Sequence, residues 1–186
     1  MAVLIGARPT DSRHLYTREL SINFFDLTYL SKGSTVQQAG FRAIVDSGIM
    51  NSLKEFTPVV VGTLPLDLFV VTSDIDIICY SPYSERLEAV LKNSKRKDIK
   101  GVNSVISNFD FDRFQFEIVG QPITVTEQAA YRHMVIEWKI LKERGEAFRR
   151  EIIALKESGV KTEPAFAQLL GLPGDPYLAI LDYAAY

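Results

Sequence analysis

VVVGTLPLDLFVVTSDIDIICY, residues 59–80, is the stretch of sequence that decides the fold. Its valine and isoleucine content is typical of buried strands, yet Asp74 and Asp76 lie in its middle. Because strand side chains alternate between faces, both aspartates are predicted on one face, with Ile75 and Ile77 on the other. Neighbouring carboxylates repel each other unless a cation such as Mg²⁺ lies between them, the alternative being a strand end where both face water.

Length, charge and cysteine content restrict the class of protein. A chain of 186 residues is long enough for a single domain, residues 1–186, with a substantial core. The net charge of −2 argues against extended nucleic acid as a partner, and Cys79, the only cysteine, is expected to be a buried thiol rather than a nucleophile. Because no apolar run approaches the roughly 20 residues of a membrane span and no basic segment precedes the apolar N-terminus, we expect a cytoplasmic protein with no membrane partner.

Hydrophobic periodicity predicts a mixed first part and a helical last part. Ser34 and Gln37 form a capping-box pattern at the start of a helix over 35–46. Apolar residues between Leu20 and Leu30 have helical spacing. Strands are predicted over 59–63, 66–71, 74–80, 102–109 and 113–119, and a basic loop over 94–100. The further predicted helices are one over 82–93 capped by Ser81, two amphipathic helices from Thr126 to a terminating Gly159, and short helices capped by Thr162 and Asp175. This pattern indicates an α/β (α+β) fold in which a small mixed sheet with flanking helices, residues 35–125, precedes a helical C-terminal part, residues 126–186.

Further polar residues suggest what the two aspartates act on. Gly62 would let a phosphate approach the backbone closely, and the hydroxyl of Thr63 can donate to a phosphate oxygen. Glu117 lies on the polar face of a predicted strand and is the favoured third carboxylate of a two-metal site. Asp110 and Asp112 are rivals for that place, although their sequence is more typical of a turn.

A hydrophobic strand ending in Gly-Thr, then D-x-D, then a carboxylate on a later strand resembles the polymerase-β-like nucleotidyltransferase superfamily. The blocks GTLPL, SDIDIIC, EIVGQP, AYRHMVIE and KTEPAFAQLLGLPGDPY, between about residues 35 and 181, resemble a bacterial domain-of-unknown-function family within it. The resemblance implies a nucleotidyltransferase-like sheet. It also implies that the catalytic carboxylates Asp74, Asp76 and Glu117 hold two Mg²⁺ ions, and that Gly62, Thr63 and Ser73 bind the NTP. Two features depart from the superfamily: serine is commoner at the position of Thr63, and a short helix usually replaces the strand-like residues 64–73.

The sequence therefore predicts transfer of a nucleotidyl group from an NTP to an acceptor, a small molecule or protein rather than extended nucleic acid. Further candidates for ligand contact are Gln121, Gln128, His133, Lys161 and Glu163, with packing, capping or surface roles as the alternative. Two other functions are open. One is a catalytically silent nucleotidyltransferase-like domain that binds a nucleotide or a protein, and the other is a metal-dependent phosphoesterase.

Overall fold

The structure is a computed structural model that describes residues 22–183. A five-stranded mixed sheet in the order β1-β2-β5-β4-β3 forms its centre. The strands are β1 (Val59–Val61), β2 (Ile75–Tyr80), β3 (Lys95–Ile99), β4 (Val102–Phe111) and β5 (Phe114–Gln121). Strands β2 and β5 run parallel, and the other neighbouring pairs are antiparallel. The predicted mixed sheet with flanking helices is confirmed.

Within residues 22–183, six α-helices and two 3₁₀ helices surround the sheet. They are α1 (Thr35–Asp46), α2 (Ile49–Ser52), α3 (Ser84–Val90), α4 (Ala129–Glu157), α5 (Thr162–Leu170) and α6 (Pro176–Tyr183), with 3₁₀ helices at Leu27–Lys32 and Lys54–Phe56. The capping box is confirmed, since Ser34 Oγ accepts from the Gln37 amide at 3.3 Å and Gln37 Oε1 accepts from the Ser34 amide at 3.1 Å. Gly145, with φ 76° and ψ −169°, breaks α4 into the two helical halves that the sequence predicts. The helical spacing predicted from Leu20 begins outside the described residues.

Each face of the sheet packs against its own layer of helices. Ile75, Ile77 and Cys79 are buried in a core shared with α1 and α3, which confirms the expected buried thiol. Ile78 lies on the opposite face, in a core shared with α4, α5 and α6. Asp76 alternates with Ile77 and therefore faces the C-terminal helices. No helix among residues 22–183 combines the length and apolar character needed to cross a lipid bilayer.

The strand predicted over 66–71 is wrong, because residues 62–67 and 71–72 form turns and residues 68–70 between them are irregular. Their backbone groups bond locally: the Leu68 amide donates to Thr63 O at 2.9 Å, and the Ser73 amide donates to Val70 O at 2.9 Å. Pro65 has no amide hydrogen to give to a neighbouring strand. The leucines of the segment are nevertheless buried, which explains why its pattern resembles a strand.

The predicted basic loop over 94–100 is also wrong, because residues 95–99 form the edge strand β3. Arg96 lies on the face of β3 that points toward α3, where its guanidinium contacts Glu85 and Glu88 at 2.8 Å each. The basic side chains therefore alternate along a strand. Arg96 forms ion pairs with α3, and Lys95 and Lys97 on the other face are solvated.

Two predicted helix starts need correction. Instead of spanning 82–93 with Ser81 as its cap, α3 runs from Ser84 to Val90, and Ser81 Oγ donates to Tyr83 O at 3.1 Å. Lys161 is the N-cap residue of α5, so Thr162 is its first helical residue rather than its cap. Asp175 does cap α6, since its Oδ1 accepts from the amides of Tyr177 and Leu178.

Candidate active site

Three polar side chains form a row across the middle of the sheet. Asp76 on β2 is the register partner of Glu117 on β5, and Glu117 is the partner of Asn108 on β4. Residues paired across strands share one face of the sheet, so all three project toward the C-terminal helices. Asn108 Nδ2 lies 3.4 Å from Glu117 Oε2 and donates to it. Local sequence pattern does not predict this row. It forms because β2 and β5 are adjacent and parallel, although the 33 residues 81–113 separate them in the chain.

This row opens on a pocket of about 290 Å³. Its walls come from three parts of the chain: the carboxylates Asp74, Asp76 and Glu117, the loop residues Thr63, Thr72 and Ser73, and the helix α4–α5 connection with Lys156, Gly159, Val160, Lys161 and Thr162. The structure therefore brings together six of the residues selected from the sequence: Asp74, Asp76, Glu117, Thr63, Ser73 and Lys161.

Gly62, the seventh, touches the carboxylate row from behind. Its φ of 74° is left-handed, and a Cβ built on it would lie 2.5 Å from Asp76 Oδ2. A side chain here would be strained and would collide with the carboxylate, so glycine is required for both reasons. The Gly62–Thr63 turn and Asp76 are thus packed against each other.

The environment of Asp76 opposes its negative charge. Burial, followed by the nearby carboxylates of Glu117 and Asp74, raises the pKa of Asp76 to about 7. The charge of Lys156, which lines the same pocket, lowers the pKa of Asp76 and so offsets part of this rise. A carboxylate row of this kind attracts a cation, because a cation between the oxygens removes their repulsion.

Lys156 was not selected from the sequence, yet it is a buried lysine on the wall opposite the carboxylates. Its Nζ donates to Thr162 Oγ1 at 3.0 Å. Burial lowers the pKa of Lys156, while the carboxylates of Glu163, Glu137 and Asp76 counteract that effect. Its sequence position held a usable signal, because Lys156 follows the fully buried Ile152 by four residues and so lies on the apolar face of α4.

The residues present fit a divalent cation held together with phosphates. Among residues 22–183, no three His, Cys, Asp or Glu side chains are close enough to hold a metal ion by themselves. Mg²⁺ does not need such a cage, since it is commonly held by one or two carboxylates plus substrate phosphates. Thr63 Oγ1, at the same pocket, is buried without a hydrogen-bond partner, as expected of a group that awaits a ligand.

Several other candidates lie outside the pocket. Gln121, at the far end of β5, donates to Ser104 Oγ at 3.0 Å, and Gln128 is buried and donates to Cys79 O at 2.9 Å. Asp110 and Asp112, the rivals for the third carboxylate, lie at the end of β4 and in the turn after it and do not line the pocket.

His133 and Glu163 form a pair behind the pocket. His133 is buried, with Nε2 2.8 Å from Tyr177 O and Nδ1 3.5 Å from Glu163 Oε1. The imidazole thus connects α4, α5 and α6. Glu163 does not line the pocket, but its charge is among the influences that raise the pKa of Asp76.

Comparison with known proteins gives a family and a set of similar structures. The family model described as Domain of unknown function (DUF4269) matches residues 42–183. No curated protein sequence matches the chain. Similar solved structures include Cid1 poly(U) polymerase with MgGTP bound (16% identity, 70% of this chain and 46% of that chain, TM-score 0.46). A second is a cytoplasmic RNA terminal U-transferase, with 15% identity over 86% of this chain and 52% of that chain and a TM-score of 0.46. A third is the polymerase core of TRAMP, an RNA surveillance complex, with 12% identity over 83% of this chain and 50% of that chain and a TM-score of 0.46. The chain spans about half the length of these polymerases.

Proposed function

The chain belongs to the DUF4269 family, and we propose that it is a Mg²⁺-dependent nucleotidyltransferase that moves a nucleotidyl group from an NTP to an acceptor hydroxyl. The observation that carries the proposal is the pairing of Asp76 with Glu117 on parallel strands, in a pocket that Asp74 and the buried Lys156 also line. A carboxylate wall facing a cationic wall suits a ligand that combines metal ions with phosphates.

Each wall has its own task in this proposal. Asp74 and Asp76 hold Mg²⁺ against the triphosphate, and Glu117 completes the set on the side of the attacking oxygen. Bound there, Mg²⁺ neutralises the charge that develops on the phosphate oxygens and favours ionisation of the acceptor hydroxyl. Thr63 Oγ1 donates to a phosphate oxygen and thereby gains the partner that it lacks. Lys156 binds the phosphates from the opposite wall, assisted by Lys161.

The reaction is an in-line displacement. The acceptor oxygen forms a bond to the α-phosphorus, and the bond from that phosphorus to the α–β bridging oxygen breaks, so pyrophosphate leaves with that electron pair. The acceptor proton passes to a carboxylate oxygen of Glu117. The pocket therefore has to hold the triphosphate in line with the acceptor and to limit access of water.

The acceptor, in this proposal, is a small molecule or a protein, because a net charge of −2 offers no general attraction for a long polyanion. We also propose a single cytoplasmic domain over residues 1–186, in which a core over 35–125 carries the carboxylates and a helical part over 126–186 closes one side of the pocket.

A specific observation favours a second candidate, a catalytically silent nucleotidyltransferase-like domain that binds a nucleotide. Within the described chain no three acidic side chains converge closely enough to hold a metal ion unaided. A domain whose carboxylates do not converge on a metal ion would keep the pocket and bind a nucleotide there, but it would not transfer the nucleotidyl group.

The test is Mg²⁺-dependent thermal shift with each of the four NTPs. Pyrophosphate release is then measured with hydroxyl acceptors present, namely glycerol and a mixture of serine- and tyrosine-containing peptides. The variant is Asp74→Asn/Asp76→Asn, and the matched control is Asp110→Asn/Asp112→Asn, which neutralises a second D-x-D pair outside the pocket. We expect a shift and pyrophosphate release in the wild type and the control, and neither in the variant. Absence of any shift in the wild type would falsify nucleotide binding. Binding without release selects the silent domain, and release of orthophosphate alone selects a phosphoesterase.

A further inference from the structure

The loop between β1 and β2 has a backbone that needs support. Two of its residues are left-handed, Gly62 with φ 74° and Asp67 with φ 57°. Glycine adopts this conformation readily, but for aspartate it is uncommon and strained conformations persist only where the surroundings hold them. The same loop carries Thr63 and Ser73 to the pocket, so its shape decides where these groups point.

Three side chains hold this loop, and they come from two different parts of the chain. Two belong to the start of α1: Gln37 Nε2 donates to Leu64 O at 3.0 Å and to Pro65 O at 3.2 Å, and Ser34 Oγ donates to Asp67 Oδ1 at 2.5 Å. The third is Arg149 in the second half of α4, 82 residues further along the chain than Asp67.

Arg149 contacts the loop at its strained point. Its Nη1 donates to the carbonyls of Leu66 and Asp67, the latter at 3.4 Å, and its Nε lies 3.3 Å from Glu146 Oε2. Hydrogen bonds from a guanidinium are stronger than those between neutral groups. Here Nη1 donates to both carbonyls, while Nε faces Glu146. Arg149 itself does not line the pocket, so any effect on a ligand is exerted through the loop.

The helix that carries Arg149 also carries Lys156, on the opposite wall of the pocket. One half-helix of α4 therefore carries the pocket lysine and also bonds the carbonyls of Leu66 and Asp67. The next residue, Leu68, donates its amide to Thr63 O at 2.9 Å, which links this part of the loop to the turn at the pocket. We propose that Arg149 is a positioning residue, which locks the loop over residues 62–73 in the shape that presents Gly62 and Thr63 to the triphosphate. This inference rests on the proposed function. It also explains how a loop without a helix between Thr63 and Asp74 can be fixed.

The experiment uses the full chain and compares Arg149→Met with Arg150→Met, its exposed neighbour in the same helix. The first readout needs no ligand. It is hydrogen exchange at the Asp67, Leu68 and Ser73 amides, which bond within the loop. The second is the dissociation constant of the Mg·NTP complexes, measured by calorimetry. We expect Arg149→Met to speed exchange in the loop and to weaken Mg·NTP binding, each by about tenfold, because one charge-assisted contact is lost. Exchange in β5 and all values for Arg150→Met should match the wild type.

The two proposals fail in different ways. Wild-type exchange rates in the loop of folded Arg149→Met overturn the positioning role, whether or not a nucleotide binds. If Arg149→Met does not fold, Arg149→Gln, which is shorter and uncharged, is measured in the same way, and wild-type loop exchange in that variant overturns it equally. If Arg149→Met exchanges faster in the loop but the wild type binds no Mg·NTP, the proposed nucleotide binding is refuted instead. Arg149 then still orders the loop.

Discussion

Asp76 and Glu117 are register partners on adjacent parallel strands, so their carboxylates leave the sheet side by side and on the same face. Adjacent strands are only about 4.8 Å apart, which keeps the two acids close. Gly62 lies so close to Asp76 that a Cβ built on it would be 2.5 Å from Asp76 Oδ2. The pairing thus stores electrostatic repulsion at one place in the sheet, and the proposed metal ion would relieve it.

Neutralising Asp76 should change the pH dependence of stability. The pKa of Asp76 is about 7, above its ordinary value, so between roughly pH 4 and pH 7 the folded chain binds a proton that the unfolded chain has released. This contribution to stability is therefore present at low pH and is lost as pH rises through 7. We expect Asp76→Asn to gain free energy of unfolding relative to the wild type at pH 8 and to gain little at pH 4. Urea denaturation at the two pH values measures this, and an equal difference at both would contradict it.

Binding of a divalent cation should weaken as Asp76 takes up its proton. Because the ligand form is the ionised carboxylate, affinity falls by up to about tenfold per pH unit below the pKa near 7. Mn²⁺ is followed by electron paramagnetic resonance in the presence of an NTP, because the proposed site holds the cation together with phosphates. The same titration of Mn·NTP without protein corrects for protonation of the phosphates. We expect the dissociation constant to rise between pH 8 and pH 6, with Asp110→Asn behaving as the wild type. An affinity that is independent of pH over this range would remove Asp76 from the ligand set.

Gly62→Ala tests the contact between the turn and Asp76. Gly48→Ala is the matched control, because Gly48 has a similar φ of 68° but a Cβ there meets nothing within 4 Å, whereas at Gly62 it meets Asp76 Oδ2 at 2.5 Å. Backbone strain of about 1 kcal/mol should appear in both variants, and the collision adds to it only at Gly62. Thermal denaturation should therefore show a larger loss for Gly62→Ala, together with loss of Mn²⁺ binding. Equal losses would mean that Asp76 moves aside freely.

Lys156→Met should weaken phosphate binding selectively. The loss of one charge-assisted contact predicts about a tenfold weaker complex with Mg·NTP and no change for the corresponding nucleoside. Lys139→Met, which removes an exposed lysine from the same helix, should bind like the wild type. Calorimetry with both ligands gives the comparison. Equal weakening for nucleotide and nucleoside would indicate a general loss of structure, due to the buried Glu137 losing its nearest counter-charge.

Local signals in the sequence predicted much of the sheet and most of the site. The capping box at Ser34 fixed the start of α1, and strand alternation placed Asp74 and Asp76 on one side. Glu117 could be selected because core residues flank it on β5, although only the parallel pairing of β2 with β5 puts it beside Asp76. That pairing is a long-range property, which no local pattern contains.

The errors have physical causes as well. Residues 66–71 alternate like a strand because the buried leucines Leu66 and Leu68 share a core, but left-handed Asp67 between them turns the chain. The segment 94–100 reads as a solvated loop because its side chains are charged, whereas backbone pairing with β4 makes it a strand. Lys156 was missed because a lysine in a helix is usually solvated, although its place on the apolar face of α4 was a signal; in the structure its Nζ donates to Thr162 on α5.

The position of β3 has a consequence for how copies of the chain meet. It is the last strand of the sheet, and among residues 22–183 its outer backbone edge has no strand beside it. Unpaired edges invite other chains to add on and start aggregates, and lysines on an edge are a common defence. Lys95 and Lys97 are exposed, whereas the charge of Arg96 between them is paired with Glu85 and Glu88. Two molecules approaching edge to edge would therefore bring these lysines of both copies together. These lysines thus disfavour edge-to-edge self-association of the chain.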